Sequence, residues 1–191
     1  MKIVILKKKT AGIAVGILAL CVAAVAAYPA LAGTWRADRQ LPVYCVDTCQ
    51  KTCAVSFDAA WGDVSTKDLV NVLNHYKVKA TFFVIGKWAE QYPDDVKLLQ
   101  KNGMEIMSHS YAHDHMTKLS DQAISADLEH CCKVIKKITG QQPTLFRCPY
   151  GDYDDHVINT VRACGLQPIQ WDVEGLRPVG VKQAHDPRFP V

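Results

Sequence analysis

Between residues 53 and 171 the apolar positions switch repeatedly between a short continuous run and a helical spacing. Cys53–Asp58 reads as a short buried strand. Thr66–Tyr76 follows, with Leu69, Val70 and Leu73 at helical spacing and Thr66 placed to cap the helix. Ala80–Ile85 is a second strand, rich in β-formers and stopped by Gly86. Pro93–Asn102 spells a second helix with Gly103 behind it, and Glu105–Ser108 a third strand. Ser120 caps a long helix through Ile124, Leu128, Val134, Ile135 and Ile138, which Gly140 closes. Pro143–Arg147 is a short fourth strand, Asp154–Cys164 a helix stopped by Gly165, and Leu166–Trp171 a fifth strand. Such alternation predicts parallel strands with helices outside, as an open α/β sheet or a barrel.

Ahead of this body lies a segment of another kind. Lys7-Lys8-Lys9 precede an apolar run from Ala11 to Tyr28, and Ala30-Leu31-Ala32 has the form of a small-x-small cleavage site. The run is close to the length that spans a bilayer. Residues 1–33 are therefore expected to be either a signal peptide or an N-terminal membrane anchor with its lysines inside. A buried core helix is the weaker reading, because nothing polar gives the segment an outer face. The expected location is the outer face of the cell membrane or the secreted fraction. Residues 34–50 are polar and mixed and read as a linker.

Composition narrows the class. The chain has 191 residues, 49% hydrophobic and 21% charged, which suits one ordinary domain and excludes a disordered chain, a collagen or a polytopic membrane protein. The net charge of +3 comes from the leader, whose first 33 residues hold four lysines and no acid. The remainder sets 18 basic against 19 acidic residues and gives no reason to expect nucleic acid as a partner. There are eight cysteines. Cys45, Cys49 and Cys53 recur every fourth residue, which suggests a metal knuckle at first sight. Zinc pairs favour tighter spacing and need four ligands, so disulfide or incidental use is the preferred expectation.

The chemistry collects at the C-terminal ends of the strands. The first ends in Asp58, the third in Ser108-His109 with His113 following, the fourth in Arg147 and the fifth in Asp172. In parallel α/β folds this edge is where sites are built. Each residue alone has an ordinary explanation, such as a helix cap or a surface ion pair; their joint placement on one rim does not. His109-Ser-Tyr-Ala-His113 sets two imidazoles four residues apart, on one face of a helical turn, able to share one divalent metal. A metal held by two histidines and a carboxylate keeps positions open for water and substrate, with a nearby carboxylate taking the proton. His115 reads as supporting or structural, and His75, His130 and His156 as solvated.

Three runs in order, Ser56-Phe-Asp58-Ala-Ala-Trp-Gly62, His109-Ser-Tyr-Ala-His113 and Arg147-Cys-Pro-Tyr-Gly151, resemble the first three motifs of the NodB-like polysaccharide deacetylases, carbohydrate esterase family 4. Lys79-Ala-Thr-Phe-Phe-Val, Lys137-Ile-Thr-Gly140 and Ile169-Gln-Trp-Asp172 are similar to its sporulation-associated branch. The resemblance covers about Leu41 to Leu176. It implies a distorted (β/α)7-type barrel that removes acetyl groups from N-acetylglucosamine or N-acetylmuramic acid units of polysaccharide or peptidoglycan. It implies Asp58 as catalytic base, Arg147 as the residue orienting it, and His109 and His113 as ligands of zinc or a similar divalent ion. Tyr150 would supply a backbone N–H to the oxyanion.

This sequence also departs from the family pattern. The second motif carboxylate, a metal ligand, falls on Ala59, so Asp58 must move onto the metal or Asp63 reach in. Cys148 replaces the usual proline. Arg177 and Pro178 stand where an Asp-Trp pair belongs, and no strand ending in Leu-x-His follows, so His185 inherits no role. Five strands fall short of the seven or eight a closed barrel needs. The domain is therefore expected to be 51–176 and incomplete at its C-terminus. It would be open next to the fifth strand, with 177–191 an irregular tail, and the isolated chain poorly soluble and inactive. A catalytically silent glycan-binding or spore-wall structural protein is the alternative.

Overall fold

The computed structural model describes residues 39–173 apart from residue 64, together with helical residues 16–18 and 20–22. The rest of the expected leader, the last residues of the expected domain (174–176) and the expected tail (177–191) lie outside the described residues. Among the described residues no helix is long and apolar enough to cross a membrane. The chain divides into two units, Met1–Arg39 and Gln40–Val191.

The second unit is built on five strands: β1 (Val55–Ala59), β2 (Ala80–Val84), β3 (Glu105–Ser108), β4 (Leu145–Phe146) and β5 (Gln167–Pro168). They pair in parallel in the order β1-β2-β3-β4-β5. A doubly wound sheet reverses its strand order at a switch point. This one does not, so helical crossovers between neighbours stack on one face, the arrangement of a barrel wall.

The helices are α1 (Thr66–His75), α2 (Gly86–Gln91), α3 (Pro93–Lys101), α4 (Asp121–Thr139) and α5 (Asp155–Ala163). Ser120 caps α4, its Oγ accepting from Ala123 N at 3.3 Å, and Gly140 ends it at φ 74°. Asp154 caps α5 by accepting from Val157 N. Thr66, expected as a cap, is instead the first residue of α1. Helix α2 was not expected, because six residues show no helical period. It begins at Gly86, where a Cβ would come within 2.4 Å of Tyr111 Cδ2. Gly86 thus serves close packing as well as ending β2.

Two apolar clusters fill the space between the sheet and its helices. Phe82, Val84 and Ile106 meet Val70, Trp88, Val96, Leu99 and Ile135 in the first. Phe146 meets Ile124, Leu128, Val157 and Val161 in the second. Truncating a buried leucine such as Leu99 costs about 2–5 kcal/mol. Strand alternation leaves Ser56 and Asp58 on the face opposite Phe57, which packs with the first cluster.

Two expectations are corrected. The supposed linker belongs in part to the domain: Val43 N donates to Pro168 O, and Gln170 N donates to Val43 O, both at 2.9 Å. Val43 thereby bridges to Ile169 in parallel, so the edge beside the fifth strand, expected to be bare, is covered at this point. Gln40 N donates to Asp155 Oδ1, and Arg162 to Leu41 O. A polar segment joins a sheet this way because pairing uses backbone groups, which composition does not reveal. Of the two uses expected for the cysteines at 45, 49 and 53, disulfide or incidental, the exposed free thiols fit the incidental one.

Candidate active site

The backbone ladder delivers three chemical groups to one rim. His109 N donates to Val84 O at 2.9 Å, and Arg147 N to Ser108 O at 3.0 Å, each one step beyond its named strand. The His109 Nδ1–H donates to Arg147 O at 2.9 Å. That bond fixes the tautomer and leaves Nε2 as a lone-pair donor.

Asp58 is held from one side. Arg147 Nη1 donates to Asp58 Oδ1 at 2.7 Å, and Nη2 donates to Ser56 Oγ at 2.8 Å. The guanidinium lies 4.0 Å above the Phe83 ring and 5.8 Å from that of Trp171. Arg147 is 4% exposed, so this charge depends on the carboxylate as its partner. The other oxygen, Asp58 Oδ2, faces His109 Nε2 at 3.8 Å. Burial pushes the His109 imidazole below its ordinary pKa, against the pull of Asp58. The contact is therefore a neutral lone pair opposite a carboxylate, two acceptors converging on one space.

His113 completes the group. Its ring lies 5.0 Å from that of His109 and 4.5 Å from that of Tyr150. Burial lowers its pKa too, and its Nδ1 is enclosed with no hydrogen-bond partner among the described residues. The spacing of the two histidines suggested a helical turn, but the chain makes a strained loop instead. Ser110 has φ 70° and His113 φ 63°, both left-handed. His113 N donates to Ser110 Oγ at 2.8 Å, and Tyr111 N and Ala112 N donate to the two carboxylate oxygens of Asp127 at 2.8 and 3.1 Å. The loop carbonyls of Ser110 and Tyr111 accept from Gly86 N and Lys87 N at the start of α2.

The remaining expected residues divide. Tyr150 stands on the 3-10 turn Pro149–Gly151 at φ 59°, and its N–H makes no hydrogen bond among the described residues. His115 stacks on its ring at 4.3 Å and is bound to Asp152 Oδ2 at 3.1 Å, a supporting role as expected. Asp172 is exposed on the bend after β5, and no hydrogen bond or ion pair joins it to Asp58, Arg147 or the histidines. Its neighbour Trp171 reaches the site instead. Asp63 lies near enough to Asp95 for its charge to help raise that carboxyl's pKa, after burial, and no hydrogen bond or ion pair among the described residues joins it to the imidazoles. Cys148 is a buried thiol pushed up to about 12 by desolvation and chemically inert.

No group of three or more His, Cys, Asp or Glu among the described residues is arranged to hold a metal ion. The two imidazoles, neutral and adjacent, suit a divalent ion as nitrogen donors. Among the described residues no third protein ligand stands with them: Ala59 is half-buried against the helix-side core and Asp58 is committed to Arg147. Asp127, Ser56, Trp61 and Trp171 were not singled out from sequence. A capping-type carboxylate on a long helix carries no signal of the loop it will meet.

A family model described as polysaccharide deacetylase matches residues 46–169. The peptidoglycan-N-acetylmuramic acid deacetylase PdaC of Bacillus subtilis is 33% identical over 129 residues, covering 68% of this chain and 27% of that protein. Among solved structures, a family 4 pseudoenzyme of Bacillus anthracis superposes with a TM-score of 0.66 at 27% identity, covering 69% of this chain and 47% of that one. A family 4 carbohydrate esterase from Streptomyces lividans, in complex with acetate, gives 0.61 at 32% identity, covering 66% and 65%. The chain thus spans less than two thirds of each of these relatives. The match in sequence covers most of the body, and the match in fold covers about two thirds of the chain: this chain belongs to the polysaccharide deacetylase family.

Proposed function

We propose that the chain removes acetyl groups from the amino sugars of cell-wall polysaccharide. The observation that carries this reading is Asp58: one carboxylate oxygen is tied to a buried arginine, and the other faces the neutral imidazole of His109, with that of His113 beside it. Asp58 is the general base. Arg147 fixes its orientation so that Oδ2 takes a proton from the attacking water. The unpaired N–H of Tyr150 is an oxyanion donor for the acetyl oxygen. His109 and His113 hold zinc or a similar divalent ion, which supplies Lewis acidity and a water of lowered pKa when bound. The substrate is peptidoglycan or a related N-acetylated glycan, which the names of the relatives support. The lysine-flanked apolar leader supports action outside the cell.

The test is acetate release from N-acetylchitopentaose and from peptidoglycan with zinc added. Asp58→Asn is nearly isosteric and leaves Oδ1 to accept from Arg147 Nη1, so it should keep the fold at some cost in stability while abolishing release. Release that survives this substitution rejects Asp58 as the base. Ala59, in place of the third ligand, favours one second reading, a glycan-binding protein without turnover. Glycan binding with no acetate release at any zinc concentration would establish it.

A further inference from the structure

We propose that the end of the body opposite the active-site rim docks on an anionic phospholipid surface. In a parallel sheet with helical crossovers each helix runs back against the strands, so helix C-termini gather where the strands begin. The sequence puts cations there: Lys101 in the last turn of α3, Lys136 and Lys137 in that of α4, and Arg162 in that of α5. Lys77 and Lys79 join them from the connection between α1 and β2. All six residues are exposed.

These charges are not neutralised locally. Among the described residues, the ion pairs of lysine and arginine are Lys97–Asp94, Lys133–Glu129 and Arg147–Asp58, and none includes the six. Lys79 Nζ donates to Asn102 O at 2.5 Å and Arg162 Nη2 to Leu41 O at 3.0 Å, both uncharged acceptors. Glu105, an acid at the same end, accepts from Thr81 Oγ1 at 3.0 Å. A cation complements a helix C-terminus, which accounts for Lys101 and Arg162; a second lysine on α4 and two more after α1 exceed that need.

The rim end has the opposite sign. The first turns of the helices hold Asp68, Asp94, Asp95, Asp121 and Asp155. The 19 residues of α4 separate the two ends by about 28 Å. Salt screens charges over about 8 Å under physiological conditions, so the acidic end does not cancel the basic one. A body of nearly neutral total charge is thus polarised, and an anionic sheet attracts one end and repels the other.

The basic end also distinguishes a lipid from a soluble polyanion. A groove of about 480 Å³ lies beside the second half of α4. Leu128, Cys132 and Leu166, all buried, form its floor, and the exposed Lys133, Lys136 and Gln142 its rim. An apolar floor under cations suits an amphiphile, with its phosphate on the lysines and its glycerol and acyl carbons below. A soluble polyphosphate has nothing apolar to place there. Tethering by the apolar leader expected in residues 1–33 would raise the local concentration of such a surface. Docked this way, the body turns Asp58, His109 and His113 away from the bilayer and towards the wall, a consequence that rests on the glycan reading above.

Lysine acetylation of the full chain on vesicles, read residue by residue by mass spectrometry, tests the docking. Phosphatidylcholine vesicles with and without phosphatidylglycerol are compared, so the leader's own membrane affinity is common to both. With phosphatidylglycerol present, Lys77, Lys101, Lys136 and Lys137 should react about fivefold more slowly, the factor one near-surface cation gains from an anionic leaflet. Lys67, Lys87 and Lys118, near the rim, should be unchanged, and high salt should abolish the difference. Lys136→Glu combined with Lys137→Glu should remove most of the protection at Lys77 and Lys101. Equal slowing at both ends, or none at the basic end, overturns the docking. Slowing as large with soluble long-chain polyphosphate and no vesicles overturns the choice of lipid. Acetate release plays no part in this readout, so a failure here leaves the deacetylase reading standing, and a chain that releases no acetate can still show the protection.

Discussion

Asp127→Ala removes a carboxylate that touches no predicted substrate and should still undo the histidine loop. Asp127 accepts from Tyr111 N at 2.8 Å and Ala112 N at 3.1 Å. It thereby holds a four-residue loop whose ends, Ser110 and His113, are both left-handed. A hydrogen bond to a charged group contributes about 1.5–3 kcal/mol, and a half-buried pair belongs at the lower end. Against this, burial raises the Asp127 pKa above its ordinary value. A carboxyl raised in this way binds its proton more readily folded than unfolded, which subtracts stability at neutral pH. The net loss for Asp127→Ala is therefore about 2 kcal/mol. Asp127→Asn keeps one acceptor and sheds the buried charge, so it should lose about 1 kcal/mol or less. Urea unfolding at pH 7.5 reads both, from midpoints at constant slope. Amide exchange at Tyr111 and Ala112 should accelerate in the alanine variant, with α4 beyond Leu128 unaffected. A loss below about 0.5 kcal/mol for Asp127→Ala, with unchanged exchange in the loop, would refute the clamp.

Ala59→Asp should tighten zinc binding by at least about tenfold, measured by competition with a chromophoric chelator, while costing the metal-free chain about 1–2 kcal/mol because Ala59 is half-buried against apolar side chains. Unchanged affinity together with lost stability would show that strand alternation turns the new carboxylate into the core. Stability should also fall in acid: His109 and His113 both have folded pKa values below the ordinary value of about 6.5. Below that value the unfolded chain takes up protons that the folded chain refuses, so stability is fully present above pH 6.5 and declines as pH falls. At pH 5.5 the buried His109 alone accounts for up to about 1.4 kcal/mol. A denaturation midpoint flat between pH 7.5 and 5.5, or a decline undiminished in His109→Gln, would contradict this assignment.

The order and type of every strand and α-helix of the body apart from the short helix α2, and the rim on which the chemistry lies, are legible in the residues alone. Strands that must be buried show as continuous apolar runs, and helices that pack on one side show as a 3.6-residue period. Ser120, Asp154, Gly140 and Gly165 act through local geometry, so they can be read locally. Asp58, His109, His113 and Arg147 fall at strand ends, and parallel pairing necessarily brings strand ends to one edge.

Contacts between chain segments far apart are not legible in this way. Residue 43 adds to the edge of β5 through backbone groups that no side-chain pattern announces. Asp127 meets the histidine loop 15 and 16 residues away, and Arg147 reaches across 89 residues to Asp58. Asp63 and Asp172 carry the right chemistry near strand ends, yet neither forms a hydrogen bond or ion pair with Asp58, Arg147 or the histidines, and it is the Trp171 ring that meets Arg147. A carboxylate's sequence position fixes where its backbone leaves the sheet, but the direction of its side chain depends on packing around the loop that follows.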